Sequence, residues 1–293
     1  MNQAITDRAQ WISYLANQPT PILAHTQQEI RHFQSEIDQI GLHEISQLIR
    51  HDPLLTLHIL RYQEEHRHTR QTTDVTTIDR VLLMIGVVGF FRVFGTLPTL
   101  ENDVHAQKAM IYGAHRTCAR AYLASRIAET FSHYRRDIEP KEVITAALLH
   151  DTAEILLWMA SPRQMMMVSE IMRSNPGMRS VDAQHKILGC QINEIQQGLV
   201  ELWHLPHTLL HLIDDHYADE PRVRLVHLAV GMARHLEKGW DNPYFQADLQ
   251  NCGQWFHLEP ALIYNHIRDV ALDCARSWHW YEEQPVAAML IRA

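Results

Sequence analysis

The sequence predicts an all-α fold on three observations. Glycine and proline number only 11 and 12 among 293 residues, which argues against disorder and against a turn-rich β fold. Apolar residues recur at helical spacing along most of the chain, and no strand-like alternation persists. Several prolines directly follow a polar residue, as they do at the start of a helix, where their missing N–H is tolerated. These pairs are Asp52-Pro53, Ser161-Pro162, Glu220-Pro221 and Glu259-Pro260.

The same signals divide the chain into successive helices. In each polar-Pro pair the polar side chain is expected to cap the free amides, well for Asp or Ser and less well for Glu. The Val-rich piece around Val87 and Val88 gives the weakest helical pattern. The expected helices lie near residues 3–17, 27–38, 42–50, 53–66, 77–85, 87–97, 105–132, 140–159, 162–174, 180–200, 206–217, 221–238 and 259–277.

Two breaks in the pattern predict three parts. A polar segment, Glu101 to Val104, and a second break, Gly239 to Pro243, separate an N-terminal helical part over 1–100, a central helical core over 101–240 and a C-terminal helical extension over 241–293. The extension is assigned no role beyond completing the domain. Tryptophans near the two ends are expected to pack those ends against the core, with a contact surface as the alternative. They are Trp11, Trp240, Trp255, Trp278 and Trp280.

Composition and charge limit the possible partners. The net charge is -8 with neutral histidines, and no run of Lys or Arg exceeds two, so no nucleic-acid partner is expected. The four cysteines form no C-x-x-C pair and are expected to be reduced, mostly buried thiols. The N-terminus lacks the pattern of a signal peptide, and no stretch approaches the ~20 apolar residues of a membrane helix. The expected location is the cytoplasm, with no membrane partner.

A carboxylate lies on the apolar face of the helix predicted over 140–159. Asp151 shares that face with the apolar residues, and His150 lies beside it. A buried carboxylate costs several kcal/mol unless it is paired, hydrogen-bonded or bound to a metal. Asp151 therefore needs a partner, which could be a neighbouring helix end, an arginine such as Arg126, or a metal ion.

Three histidines occupy similar positions on other predicted helices: His115, His185 and His216. Each is expected to point inward. Taken singly, an inward histidine is usually a core residue whose ring nitrogens bind backbone carbonyls. Taken with His150 and Asp151, the three supply the imidazole and carboxylate groups that hard and borderline metals prefer.

The sequence around His150 resembles a known superfamily. The stretches AALLHDTAEILL at 146–157 and AHRTCARAYLASRIAE at 114–129 are similar to the HD superfamily of metal-dependent phosphohydrolases. Those enzymes use an early His, a His-Asp pair and a late Asp to hold one or two divalent metals, which activate water.

Other segments narrow the resemblance to HDOD domains. In chain order they are PTPILAHTQQEIRHF at 19–33, IGLHEISQLIRHDPLLTLHILRYQ at 40–63, TTIDRVLLMIGVVGFFRV at 76–93, VDAQHKILGCQINEIQQGLVELWHLPHTLLHLIDDHY at 181–217 and VRLVHLAVGMARHL at 223–236. Together they cover roughly residues 15–240. The resemblance implies a multi-helical HD-like bundle with an additional N-terminal helical subdomain.

The resemblance also implies a set of metal ligands. By position, His115 matches the early ligand, His150 and Asp151 match the metal-bridging pair, and His185 and His216 match extra ligands of the two-metal branch. The metal would be iron, manganese or zinc.

The match is incomplete at one ligand. The late aspartate of the family falls at Val230, which lies on an apolar stripe, and Asp215 stands where the two-metal branch can have a further histidine. Loss of an anionic ligand favours a weaker or empty site. HDOD domains are generally regarded as regulatory, so the resemblance implies a signalling protein that binds a protein partner or a nucleotide-like ligand. The alternatives are a metal-dependent phosphohydrolase acting on a nucleotide or phosphodiester, and a purely structural scaffold.

Overall fold

A computed structural model describes residues 5–66, 77–102, 107–175 and 177–292 of the chain. These residues form helices and no β-strand, so the all-α prediction is confirmed. One isolated parallel bridge joins Ile22 to Thr99. The helices are α1 (Arg8–Ala16), α2 (Ala24–Ser35), α3 (Leu42–Ile49), α4 (Pro53–Glu65), α5 (Ile78–Phe94), α6 (Lys108–Ser132), α7 (Pro140–Leu149), α8 (Thr152–Ala160), α9 (Pro162–Ser174), α10 (Ser180–Leu188), α11 (Ile192–Leu202), α12 (His207–Leu212), α13 (Pro221–Leu236), α14 (Pro243–Phe256) and α15 (Pro260–Ala275).

The central helix is α6, which packs against α7, α8, α13 and α15. The N-terminal helices α3, α4 and α5 pack on one another, and α4 also contacts α6 and α7. Buried apolar residues from Trp11 near one end of the chain to Ala287 near the other form one cluster. This core is continuous across the three predicted parts, whose boundaries stay a prediction.

Glycines explain two of the helix breaks. The two helices expected over 77–85 and 87–97 are the two halves of α5, which is interrupted at Gly86 with φ 68° and ψ 172°. The single helix expected over 180–200 is wrong, because Gly189 adopts φ 79° and ends α10. A Cβ at Gly189 would lie 1.9 Å from the backbone oxygen of Thr6, so only glycine fits this crossing.

Other differences concern helix length. The single helix expected over 140–159 is divided into α7 and α8, and the helix expected over 206–217 ends at Leu212. Helix α14 was not predicted, although the break before it at Gly239 to Pro243 was. Residues 3–4 of the first expected helix and residues 103–106 near the start of α6 lie outside the described residues.

The predicted helix cap at Asp52 is confirmed. The Oδ1 atom of Asp52 accepts hydrogen bonds from the backbone N–H groups of Leu54 (2.8 Å) and Leu55 (3.1 Å), and its Oδ2 accepts one from Leu23 (2.9 Å). This fully buried carboxylate therefore joins the start of α4 to the segment before α2. Three further side chains were expected to cap in the same way and form no such bond: Ser161, Glu220 and Glu259.

The terminal tryptophans mostly pack against the core, as expected. Trp11, Trp240 and Trp280 are buried, and the indole N–H of Trp11 donates to the carbonyl of Leu188. Trp278 differs, because it is 54% exposed. The cysteines are free thiols, as predicted, and are buried except for the partly exposed Cys274.

One segment of the described chain is long and apolar enough to span a membrane. Pro140–Ala160 passes this test, which corrects the expectation that no stretch approaches membrane-spanning length. Within the fold, 83% of its 18-residue apolar window is buried. The segment therefore has the burial of a core helix pair in a helical bundle.

An aromatic stack joins the N-terminal helices to the centre and to the C-terminal residues. The ring of His51, just after α3, lies between the rings of Tyr122 on α6 (4.5 Å) and Trp280 (4.4 Å). His51 Nδ1–H donates to the carbonyl of Gln47 (3.0 Å). Burial, reinforced by the positive charge of Arg126, lowers the pKa of His51 to about 4. The stack therefore holds a neutral imidazole.

Gly86 should be needed for the break in α5. Replacing Gly86 with Ala should lower the free energy of unfolding by about 1 to 3 kcal/mol, because its backbone conformation is almost restricted to glycine while no atom lies within 4 Å of the added Cβ. Gly231→Ala is the matched control, because this glycine lies in the regular helix α13 with equally open space, and should stabilise by about 1 kcal/mol. Denaturant unfolding measures both. Equal effects of the two substitutions would contradict the strain at Gly86.

His51 should make the protein less stable in mild acid. Between pH 6.5 and pH 4 the unfolded chain protonates this imidazole while the folded chain keeps it neutral, so the free energy of unfolding falls as pH falls. The contribution reaches about 3 kcal/mol. The His51→Gln variant should lose this part of the slope, although it starts less stable because the ring stack is gone. Urea titrations across this range measure the effect. Parallel curves for the two proteins at all pH values would contradict it, and parallel curves above pH 7 serve as the internal control.

Candidate functional site

The break between α7 and α8 turns His150 and Asp151 into the core. Asp151 has non-helical torsions (φ -101°, ψ 17°), and both residues are only 4% exposed. The buried amide of Gln196 on α11 spans the break, because its Nε2 donates to the carbonyl of Leu149 (2.9 Å) and its Oε1 accepts from the N–H of Ala153 (2.6 Å). The backbone groups exposed by the break are thus satisfied, and the break is a fixed part of the fold.

Two arginines bind the carboxylate of Asp151. Arg120 on α6 donates to Oδ2 from Nε (2.9 Å) and from Nη2 (2.7 Å). Arg234 on α13 donates to Oδ1 from Nη2. Burial alone would raise the pKa of Asp151, but Arg234 and Arg120 hold that pKa well below its usual range. Asp151 is therefore a carboxylate whose two oxygens are both occupied by guanidinium groups. We call this cluster the Asp151 centre.

The charge of the arginines is balanced by further carboxylates. Arg120 also donates to Glu154 (2.7 Å) and to Glu237 (3.1 Å), and Arg116 donates to the other oxygen of Glu237. Although burial raises the pKa of Glu237, Arg120 and Arg116 lower it below its usual range. The network therefore pairs each buried charge with an opposite charge, as buried ions require.

His150 links the Asp151 centre to Asp215. Its Nδ1–H donates to Oδ1 of Asp151 (3.1 Å), and its Nε2 lies 3.5 Å from Oδ1 of Asp215. His227 on α13 donates to the same oxygen of Asp215 (2.9 Å). Burial disfavours the imidazolium form, but Asp151 and Asp215 outweigh it and raise the pKa of His150. The pKa of Asp215 is held well below its usual range by the two histidines, against the effect of burial.

His115 points inward as expected, but it contacts a glutamate and not the Asp151 centre. Its Nε2–H donates to Oε1 of Glu101 (2.7 Å), and Oε2 of Glu101 accepts the N–H of Ala24, the first residue of α2 (2.8 Å). His115 is only 2% exposed. This buried imidazole therefore positions a carboxylate that caps α2, and so connects α6 to the N-terminal helices.

The inward orientation predicted for His185 and His216 is wrong, because both are exposed. The buried residues of α10 are Ala183 and Leu188, so the inner face of that helix excludes His185. His216 lies in a short 3₁₀ segment beyond the end of α12, where its Nδ1–H donates to Asp214 (2.8 Å). Helix α12 ends before His216, so the helical spacing that predicted an inward side chain does not apply to this residue.

The Asp151 centre does not fit a divalent metal. Among the described residues, no group of three or more His, Cys, Asp or Glu side chains is arranged to hold a metal ion. A metal at Asp151 would have to displace Arg120 and Arg234, and it would then lie beside their positive charges. The position that corresponds to the late aspartate offers no anion, because it is occupied by Val230. This buried aliphatic residue lies on the face of α13 that also carries His227 and Arg234.

Sequence reasoning found the carboxylate that needed partners and missed the partners themselves. Arg126, the arginine considered, pairs with Glu129 instead. In the sequence, Arg120 is a charged residue one helical turn after Arg116. Arg234 is a charged residue two helical turns after His227. Because Arg120 and Arg234 are far from Asp151 along the chain, the sequence did not predict that they contact it.

The chain belongs to the HDOD domain family, whose model matches residues 20–219. This match covers the helices that build the Asp151 centre except α13, and it includes α2 to α5 of the N-terminal part. A search of the curated proteins gave no match.

Solved structures share the fold. An MmoQ response regulator from Methylococcus capsulatus strain Bath aligns with a TM-score of 0.62 and 18% identity, over 85% of this chain and 98% of that one. A virulence factor from Campylobacter jejuni subsp. jejuni aligns with a TM-score of 0.61 and 16% identity, over 92% of this chain and 99% of that one. Because these sequence identities are low, the alignments show only that the fold is shared, over most of each chain.

Removing the charge of Asp151 should destabilise the protein strongly. Asp151→Asn leaves Arg120 and Arg234 without their shared anion, and loss of one partner from a buried ion pair costs about 3 to 5 kcal/mol. The matched control is Asp137→Asn, which breaks an exposed arginine pair with Arg135 and should have little effect. Denaturant unfolding at neutral pH measures both. Equal effects of the two substitutions would contradict the charge-pairing role of Asp151.

Proposed function

We propose that this HDOD protein is a cytoplasmic signalling module that acts by binding a protein partner or a small ligand and does not hydrolyse phosphoesters. The observation that carries the proposal is the occupation of both Asp151 oxygens by Arg120 and Arg234. The two guanidinium groups supply inside the protein the positive charge that a metal would otherwise bring to this carboxylate.

The same contacts argue against water activation at this centre. A hydrolase of this kind needs a metal-bound water whose pKa is lowered by the ion. Here the charge of Asp151 is already matched, and a guanidinium group has no open coordination position for water. His150 belongs to the same charge network, because its Nδ1–H is donated to Asp151 and its Nε2 lies 3.5 Å from Oδ1 of Asp215. The centre is thus arranged to hold helices α6, α8 and α13 together.

The shared fold supports a signalling role. The M. capsulatus protein of similar fold bears the name of a response regulator, and the C. jejuni protein that of a virulence factor. A rigid helical bundle with a charge-balanced centre can present a binding surface without catalysis. The acidic net charge of -8 favours partners other than nucleic acid.

Metal content and phosphodiesterase activity test the proposal. Protein purified without chelator should contain well below one iron, manganese or zinc ion per chain, measured by plasma mass spectrometry. With added Mn²⁺ it should not turn over bis(p-nitrophenyl) phosphate above the rate without protein. The variants His150→Ala and His185→Ala provide a matched pair, because the first histidine is buried in the centre and the second is exposed.

The metal-dependent phosphohydrolase alternative predicts the opposite pattern. Stoichiometric metal that is lost in Asp151→Ala would support it, as would turnover abolished by His150→Ala and kept by His185→Ala. Either result would overturn the non-catalytic proposal.

A further inference from the structure

A cavity of about 330 Å³ lies beside the Asp151 centre. Helices α6, α13 and α15 form one side of it, and residues 278–289, which we call the C-terminal cover, form the other. Its volume falls in the lower range of small-molecule sites, which are typically about 300 to 1,000 Å³. The size is suited to one small organic molecule.

Four aromatic side chains line the cavity, and we call them the aromatic wall: Tyr112, Tyr122, Trp278 and Tyr281. Tyr122 and Tyr281 are buried, with ring centroids 6.1 Å apart. Tyr112 and Trp278 are each 54% exposed, so their rings are accessible to a ligand. Aromatic faces of this kind bind planar apolar groups and attract cations.

The polar side of the cavity carries one carboxylate, Glu283, that has no cation of its own. Arg116 and Glu237 line it, but they are paired with each other, and Arg120 is held by Asp151, Glu154 and Glu237. Glu283 also lines the cavity and is half-buried. No hydrogen bond or ion pair joins its carboxylate to another residue in the described parts of the chain. The cation that acts on it, Arg116, is already paired with Glu237.

The charge pattern selects the class of ligand. A phosphate or carboxylate group would need a free cation, and the arginines nearest the cavity already share buried carboxylates. A positively charged ligand would instead meet the unpaired Glu283 and the electron-rich faces of the aromatic wall. The apolar remainder of the lining, which includes Leu123 and Val286, requires that the ligand also carry an apolar body.

We propose that this cavity binds a small organic cation with a planar aromatic body, whose charged nitrogen pairs with Glu283 and whose ring packs on the aromatic wall. The inference deepens the proposed signalling function by naming its small ligand, and it rests on that function only for its biological meaning. Binding at this cavity requires no chemistry at the Asp151 centre.

The position of the cavity gives the ligand a route to the rest of the fold. The C-terminal cover is anchored by the Tyr281 hydroxyl, which donates to the carbonyl of His51 (2.7 Å), and by the Trp240 indole N–H, which donates to the carbonyl of Val286 (2.8 Å). A ligand between the cover and α6 would contact both sides. Its binding should therefore stabilise the cover and, through His51, its contact with the N-terminal helices.

Three indole probes of similar size and different charge test the ligand class. Isothermal titration calorimetry at pH 7 should show binding of tryptamine, which is a cation. Neutral tryptophol should bind at least about tenfold more weakly, because the loss of one well-formed charge pair is worth about a factor of ten or more in affinity. Anionic indoleacetate should not bind.

Matched variants locate the site. Glu283→Gln should weaken tryptamine by about tenfold and leave tryptophol unchanged, while Glu282→Gln, at the exposed neighbouring position, should change neither. Ala119→Phe, which fills the cavity, should weaken both probes. Hydrogen exchange of residues 278–289 should slow with tryptamine in the natural protein and not in Glu283→Gln. This measurement keeps the test valid if Ala119→Phe does not fold.

Each contrary result is decisive. The proposal fails if tryptamine does not bind, if the three probes bind equally, or if Glu282→Gln weakens binding as much as Glu283→Gln. These measurements use binding alone, so they stand apart from metal content and turnover. A protein that binds tryptamine and also hydrolyses phosphodiesters would refute the non-catalytic function and leave the cation site intact.

Discussion

The fold is organised around one buried carboxylate and the two guanidinium groups that neutralise it. Asp151 lies at the junction of α7 and α8, Arg120 reaches it from α6, and Arg234 reaches it from α13. An unpaired ion at this depth would be too costly to keep, so the three helices must stay together for any of these charges to be tolerated. The break in the helix at His150 and Asp151 is the local feature that turns the carboxylate inward.

This arrangement shows how arginine side chains can neutralise a buried carboxylate. In the HD phosphohydrolases that the sequence resembles, carboxylate and imidazole ligands surround a divalent metal. In this chain the late carboxylate is Val230, and the positive charge comes from arginine side chains. An arginine is covalently attached and always charged, so the charge of Asp151 is matched by groups that belong to the chain itself. A guanidinium group has no open coordination position for water, which is the physical basis of the non-catalytic function proposed above.

The residues around the centre assign different tasks to similar side chains. His115 and His150 are both buried, yet the first positions Glu101 at the start of α2 and the second connects Asp151 to Asp215. The C-terminal residues contribute in another way. They close a cavity against α6 and hold His51 in an aromatic stack, so the least family-like part of the chain bears on both the proposed ligand site and the N-terminal helices.

The sequence by itself determined the all-α class, the family, the cap at Asp52 and the need of Asp151 for partners. These follow from local spacing and from the cost of burying charge, which act within one helix. Tertiary structure decided which residues meet. Arg120 and Arg234 are far from Asp151 along the chain, and the exposure of His185 and His216 depends on where α10 and α12 end. A helix break at a single residue changes the direction in which the later side chains point. No local sequence pattern predicts that direction.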